Sequence, residues 1–154
     1  MPRASRRRIA IHEAGHVVAA IALRIPIKSV TIARENPHMH RLAYKSPHVY
    51  GAECLAALSL AGAAAEALLC GAGKHGDDID RRMARDYLEQ RYGDVQIEDR
   101  MAQAEKHAHA LVSASRREIE LIADALLRHD TLSGAQIADC LLRDGAAVRL
   151  RGVR

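Results

Sequence analysis

The pattern His12-Glu13-Ala14-Gly15-His16 constrains the possible fold of this chain more than any other feature, because its side chains can act together only if they lie on a helix. Residues four apart lie one turn apart on the same helix face, so two imidazole rings can converge on one metal ion. Two histidines at this spacing with a glutamate between them are typical of zinc hydrolase sites, in which the glutamate acts as a general base. The pattern therefore predicts His12 and His16 as zinc ligands and Glu13 as the base.

The flanking residues predict that this helix runs from about Ser5 to Arg24. Ser5 is a suitable N-cap, and Pro26 stops the run. Apolar side chains recur between them. They are Ile9, Ile11, Val17, Val18, Ala20, Ile21 and Leu23. The motif would therefore lie in the middle of a helix with apolar faces.

A zinc site of this kind needs a third protein ligand and leaves a fourth position for water. Residues 17–21 lack the Gly and His with which a metzincin would continue, which excludes that arrangement. Glu35 lies near the distance of a thermolysin-like ligand, but Pro37 predicts a turn there. The segment Gly76–Asp80 offers aspartates at the start of another helix. The spacing alone leaves Glu35 and these aspartates open.

Four stretches occur in an order that is more informative than any one of them. They are His12–His16, Ser29–Ile32, Leu60–Glu66 with Gly71, and Asp78-Ile79. In this order they resemble the peptidase domain of the FtsH-type AAA zinc metalloproteases. A weaker match, Glu118–Leu127 followed by Thr131–Gly134, resembles the C-terminal helices of that family. The resemblance therefore covers nearly the whole chain apart from its basic ends.

The resemblance implies a zinc ion held by His12, His16 and Asp78, with Glu13 as the general base. Asp77 stands where the family commonly has Asn, so it is the alternative third ligand. An Asp at this position can instead cap the helix that begins here. Glu66 matches a family position of structural character, from which a carboxylate can accept a hydrogen bond from a ligand histidine. His75 lies near Asp78 but matches no ligand of the family.

The resemblance further implies a mainly α zinc-metallopeptidase domain, with a small β-hairpin or sheet after the motif helix. An extended peptide substrate would pair with an edge strand near Leu42–Lys45. The group that stabilises the oxyanion is not identified. His38, His40 and Tyr44 are near enough in sequence, but each is simply explained as a solvated loop or strand residue.

The activity that follows from the resemblance is that of a zinc endopeptidase. The family joins this domain to an ATPase motor, yet Gly71–His75 lacks the first Gly and the Ser or Thr of a phosphate-binding loop. Flexible or unfolded polypeptides are therefore the expected substrates. A ring of identical subunits and a separate ATPase are the further partners that the family suggests. The competing hypothesis is a non-catalytic, metal-stabilised helical scaffold that binds partners or nucleic acid through its basic ends.

Composition predicts one domain over residues 1–154, with an aliphatic core, because the chain has no Phe or Trp. The net charge of +4 is concentrated in arginines near the ends, and residues 1–5 and 146–154 are expected to be mobile. No aromatic platform accompanies them, so nucleic-acid binding has weak support.

Cys54, Cys70 and Cys140 form no C-x-x-C pair and predict buried, reduced thiols in the cytoplasm. The apolar stretch Leu55–Leu69 is too short to predict a membrane span.

Local patterns predict the remaining elements. Residues 28–34 and 39–45 should form a hairpin. Ser46-Pro47 should open one helix that ends at Gly71, and another should run from Asp78 to Tyr92. A long helix is expected beyond Gly93, from a stripe at spacings of three and four. The stripe consists of Ala108, Leu111, Ser115, Ile119, Ile122 and Leu126. Ser133 and Gln136 predict a capping box for a short last helix.

Overall fold

The structure is a computed structural model that describes residues 3–33, 37–41, 47–71 and 77–145. Its elements, in chain order, are α1 (Arg3–Ala22), β1 (Ile27–Thr31), β2 (His38–Arg41), α2 (Pro47–Tyr50), α3 (Ala52–Cys70), α4 (Asp77–Tyr92), α5 (Ile97–Ala114), α6 (Arg116–His129), β3 (Thr131–Ser133) and α7 (Gly134–Arg143). Within these ranges the fold is mainly helical with a small antiparallel sheet, which confirms the predicted fold class at this level.

Helix α1 lies in the interior of the fold. Residues 10–20 are all buried except His16, which is partly buried. The helix ends two residues earlier than predicted, because Arg24 adopts a left-handed backbone with a φ of 59°. The Ile25 amide then donates to the carbonyl of Ala20 at 2.8 Å and the Arg24 amide to that of Ile21 at 3.1 Å. This pair of bonds is a Schellman motif, which closes the helix before Pro26.

Helix α3 packs closely along α1 because small residues face each other at the contact. A Cβ atom on Gly15 would lie only 2.6 Å from the carbonyl oxygen of Ala61 and 2.7 Å from the Cβ of Ala65. Glycine at position 15 therefore lets the two backbones approach. This approach brings α3 alongside the motif face of α1, where it contacts both motif histidines.

The predicted hairpin is confirmed over the described residues. Strand β1 pairs antiparallel with β2, with Val30 opposite Met39. A third strand, β3, pairs antiparallel with the other side of β1, with Val30 opposite Leu132. Strand β3 was not predicted from the sequence, because its three residues are too few to show alternation. The sheet order β2-β1-β3 leaves β2 at one edge.

Two predicted helices are each divided in the structure. Gly51 separates α2 from α3 with a φ of 82°, a left-handed value that interrupts a right-handed helix. Ser115 separates α5 from α6, with a φ of −122° and a bond from its amide to Val112 O at 3.1 Å. The apolar stripe keeps its spacing through Ser115, so periodicity could not reveal this second break. The predicted single helices were therefore wrong at these two points.

Other predicted boundaries are confirmed. Helix α3 stops at Gly71, and α4 covers the range predicted for it. The capping box of α7 is present: the Gln136 amide donates to Ser133 Oγ at 3.2 Å, and the Ser133 amide donates to Gln136 Oε1 at 2.8 Å. The proposed N-cap Ser46 lies outside the described residues.

The three cysteines are free thiols, but the prediction that they are buried was wrong. Cys70 is exposed, while Cys54 and Cys140 are partly buried. Burial raises the pKa of each of these thiols, so they are less reactive than an ordinary cysteine.

Helix α3 is long and apolar enough to cross a membrane by length and composition alone. In the described fold it instead packs against α1, α4 and α5, and 61% of its most apolar window is buried. In this fold α3 therefore lies in the core.

Candidate metal centre

His12 and His16 converge as their spacing predicts. Their Nε2 atoms lie 3.0 Å apart, and the two rings meet edge to face with centroids 4.7 Å apart. Both rings are largely buried, with side-chain exposures of 11% and 12%. Helix α1 therefore presents two imidazole nitrogens to one point.

Asp80 supplies a third ligand atom from α4. Its Oδ2 lies 2.9 Å from His12 Nε2 and 3.3 Å from His16 Nε2. Ligands of a tetrahedral zinc with bonds of about 2.0–2.1 Å stand about 3.3 Å from one another. The separation of His16 and Asp80 matches this value, and the two separations from His12 Nε2, 2.9 and 3.0 Å, are slightly shorter. Two imidazole nitrogens and one carboxylate oxygen are also a donor set that zinc accepts in catalytic sites. The group His12, His16 and Asp80 could therefore hold a metal ion.

The carboxylate that the structure brings to the histidines is Asp80, two residues after the predicted Asp78. Asp77 and Asp78 begin α4, but their side chains lie outside the described part of the chain. Positions two apart on a helix do not share a face. Asp80 shares its face of α4 with the buried residues Ala84 and Leu88, four and eight residues further along the helix. The apolar residues Ala84 and Leu88 were the signal in the sequence that favours Asp80, but using it requires knowing which face of α4 packs inward.

Helix α3 orients both rings through their second nitrogens. His12 Nδ1 lies 2.6 Å from Glu66 Oε1, and His16 Nδ1 lies 2.9 Å from the carbonyl oxygen of Leu58. A carbonyl or carboxylate oxygen can only accept, so Nδ1 is the donor in each pair. When the rings are neutral, each Nε2 lone pair is therefore directed toward the site. The hydrogen bond predicted for Glu66 is present.

Gly62 leaves room for the rings between these two contacts. A Cβ atom at this position would lie 2.5 Å from His12 Nε2 and 2.6 Å from His16 Nε2. Real Cβ atoms do not approach other atoms this closely, so any larger residue would displace the imidazoles. The backbone of α3 thus forms the floor of the site.

Charge in the metal-free site is dominated by an ion pair. Burial acts to lower the pKa of His12, but hydrogen bonds to Asp80 and Glu66 outweigh burial and raise the pKa to about 10. Burial acts to raise the pKa of Asp80, but hydrogen bonds from His12 and His16 hold it well below its ordinary range. His12 is therefore protonated at neutral pH without metal, and its Nε2 proton occupies the position that a metal would take.

Glu13 is buried on the same helix, with 6% of its surface exposed. Its negative charge contributes to the raised pKa of His12, which places it within electrostatic range of the site. A buried carboxylate next to two candidate ligands is suited to proton transfer.

Several residues singled out in the sequence cannot be placed at the site. Glu35, Tyr44 and His75 lie outside the described residues. His38 and His40 lie on β2, but their side chains are also outside the described part. Three histidines of the C-terminal half lie at the surface and are exposed. They are His107, His109 and His129.

Comparison with known proteins found no matching family model and no significantly similar curated protein. The resemblance to FtsH-type peptidase domains therefore depends on the ordered sequence stretches alone.

Proposed function

We propose that this chain is a zinc-dependent endopeptidase of the FtsH peptidase type, with His12, His16 and Asp80 as metal ligands. The proposal depends mainly on one observation: the three ligand atoms lie close together, and two of them belong to the helix that also bears Glu13. Asp80 replaces Asp78 in this assignment, because its carboxylate contacts both histidines.

Zinc bound at this site would supply Lewis acidity, which polarises the scissile carbonyl and acidifies the attacking water. Glu13 would take the proton from that water and deliver it to the leaving amine. Glu66 and the Leu58 carbonyl would keep the imidazoles fixed while the substrate is bound. In this proposal the chain would provide a base and three oriented ligands, and a tetrahedral ion would have a fourth position for water.

Two observations favour catalysis over a structural metal site. In the part of the chain that the structure describes, three ligand atoms converge, whereas structural zinc is usually held by four protein ligands. Glu13 is also a buried carboxylate beside the ligands, although a structural site needs no base.

The competing scaffold would use the basic N-terminus, yet Arg6 and Arg7 are paired with Asp130 and Asp124. These pairings reduce the charge available to nucleic acid.

The proposed substrates are flexible or unfolded polypeptides. The 154 residues contain no phosphate-binding loop, so this domain by itself would not unfold a substrate. A flexible segment can enter the site in an extended form without that step. A ring of subunits and a separate ATPase remain proposals drawn from the family resemblance.

Cleavage of casein by the zinc-loaded protein tests this function. Glu13→Gln keeps the size of the side chain and removes the base, so it should reduce the rate at least about 100-fold while zinc still binds. Glu120→Gln is the matched control, since Glu120 lies on α6 and its ion pair with Arg116 is long, at 3.8 Å, and this variant should cleave like the wild type. Zinc bound without cleavage by the wild type would favour the scaffold instead.

A further inference from the structure

We propose that Arg8 is a positioning residue of the metal centre, which acts through Glu66 on the imidazole of His12. The inference rests on the proposed metal site but not on peptidase activity. It concerns a residue one helical turn before His12, outside the HExxH pattern.

A continuous chain of polar contacts links Arg8 to the ligand. Arg8 Nε donates to Glu66 Oε2, and Glu66 Oε1 accepts from His12 Nδ1 at 2.6 Å. The carboxylate thus uses a different oxygen for each partner. The side chains of these three residues are 19%, 6% and 11% exposed for Arg8, Glu66 and His12, so the contacts are largely shielded from solvent. Because Oε2 is held by Arg8, the carboxylate plane is fixed with Oε1 toward the ring.

Arg8 has a second anchor at the end of α3. Its terminal nitrogen donates to the carbonyl oxygen of Gly71 at 2.9 Å. The last turn of α3 has no basic residue of its own, and a cation is stabilising near the carbonyls at a helix C-terminus. The rigid fork of the guanidinium joins this carbonyl and the Glu66 carboxylate in one geometry. Arg8 therefore fixes the Glu66 carboxylate relative to the C-terminal end of α3.

The neighbouring arginines do not share this role. Arg7 pairs with Asp124 at 3.1 Å, and both side chains are about half exposed. Arg6 pairs with Asp130, which is also exposed. Surface pairs of this kind contribute little to stability. Within the described contacts, Arg8 is the member of the run Arg6–Arg8 whose partner also contacts a candidate ligand.

Charge and positioning predict opposite effects when Arg8 is removed. Arg8 is a cation near a cation site, so by charge alone its loss would strengthen zinc binding. As a positioning residue, its loss would let Glu66 turn and leave His12 less well oriented, which weakens binding. Contacts of this second layer typically change metal affinity by about 10–100-fold. The sign of the change therefore separates the two accounts.

The test measures zinc affinity of the purified full chain by competition with a chromogenic chelator. Arg8→Gln is expected to weaken binding about 10-fold. Arg7→Gln removes the same charge one residue away and should change affinity less than about twofold. Stronger or unchanged binding in Arg8→Gln would overturn the proposal. The absorption spectrum of bound Co²⁺ should also change in Arg8→Gln and stay constant in Arg7→Gln.

A Glu66→Gln background shows whether Arg8 acts through Glu66. There, the further substitution Arg8→Gln should have no additional effect on zinc affinity, and a persisting 10-fold loss would contradict the relay. Arg8→Lys provides a test that does not depend on the folding of Glu66→Gln. This variant keeps the positive charge but loses the planar set of donors of the guanidinium. Wild-type zinc affinity in Arg8→Lys would therefore overturn the positioning role. Casein cleavage is scored separately, so a wild type that binds zinc without cleaving would reject the function and leave the relay standing.

Discussion

At the scale of single residues, His12 is the side chain around which the negative charges of the site are grouped. Asp80 and Glu66 hydrogen-bond its two ring nitrogens, and Glu13 adds a further negative charge. Three carboxylates around one ring stabilise its protonated form in the absence of metal, and a divalent cation would satisfy the same charges. The proton and the metal therefore compete for His12 Nε2.

This competition predicts that zinc affinity rises with pH. Because the pKa of His12 is raised to about 10, binding at neutral pH should release one proton, and affinity should increase about tenfold per pH unit from pH 7 to 8.5. Chelator competition across this range, corrected for the chelator's own protonation, measures the slope. A flat profile would mean that His12 is already neutral without metal, as a histidine with an ordinary pKa would be.

The same shifts set the stability of the metal-free protein. The pKa of His12 is raised above its unfolded value, so its contribution is complete below about pH 6.5 and is lost as pH rises toward 10. The pKa of Asp80 is lowered, so its contribution is present above its unfolded pKa near 3.8 and is lost in acid. Urea unfolding of the metal-free protein should accordingly show decreasing stability from pH 7 to 9.

At the scale of elements, the site depends on how closely α3 approaches α1. Gly15 brings the backbones together, and Gly62 leaves the space that the two imidazoles occupy. Leu58, Gly62 and Glu66 lie one turn apart on α3, so a single helix face supplies two hydrogen-bond acceptors and a floor.

Gly62→Ala should therefore disable the metal site without removing a ligand. The added methyl group would lie within 2.7 Å of three imidazole atoms, so both rings must move off the point where they converge. We expect zinc affinity to fall at least about 10-fold while circular dichroism shows an intact helical fold. Ala67→Ser adds one atom at an exposed position of the same helix and serves as the control. Wild-type affinity in Gly62→Ala would show that the rings are not confined by α3.

The sequence predicted those elements whose pattern is local. The motif helix and α4 follow from apolar spacing, and α7 follows from its capping box. The N-cap predicted at Ser5 was wrong, because α1 begins two residues earlier at Arg3. The breaks at Gly51 and Ser115 depend on backbone conformations that a regular stripe does not reveal. Strand β3 exists because β1 offers it a partner about 100 residues away in sequence, as the Val30–Leu132 pairing shows.

At the scale of the whole molecule, the fold assembles one site from three helices. Helix α1 gives His12, Glu13 and His16, α3 orients the rings, and α4 contributes Asp80. The convergence of His12 and His16 could be predicted from the sequence because helix geometry fixes their spacing. The third ligand could not be assigned from spacing alone, since it depends on the rotation of α4 against α3. The buried face of Ala84 and Leu88 sets that rotation.

The central claim is that a metal ion binds to His12, His16 and Asp80, and its most direct test compares two aspartates of the same helix. Zinc content and affinity would be measured for the wild type, Asp80→Asn and the matched variant Asp78→Asn. The account predicts one tightly bound zinc in the wild type and in Asp78→Asn, with affinity in Asp80→Asn reduced more than about 100-fold because a direct ligand is lost. Retention of zinc by Asp80→Asn together with its loss from Asp78→Asn would contradict the account.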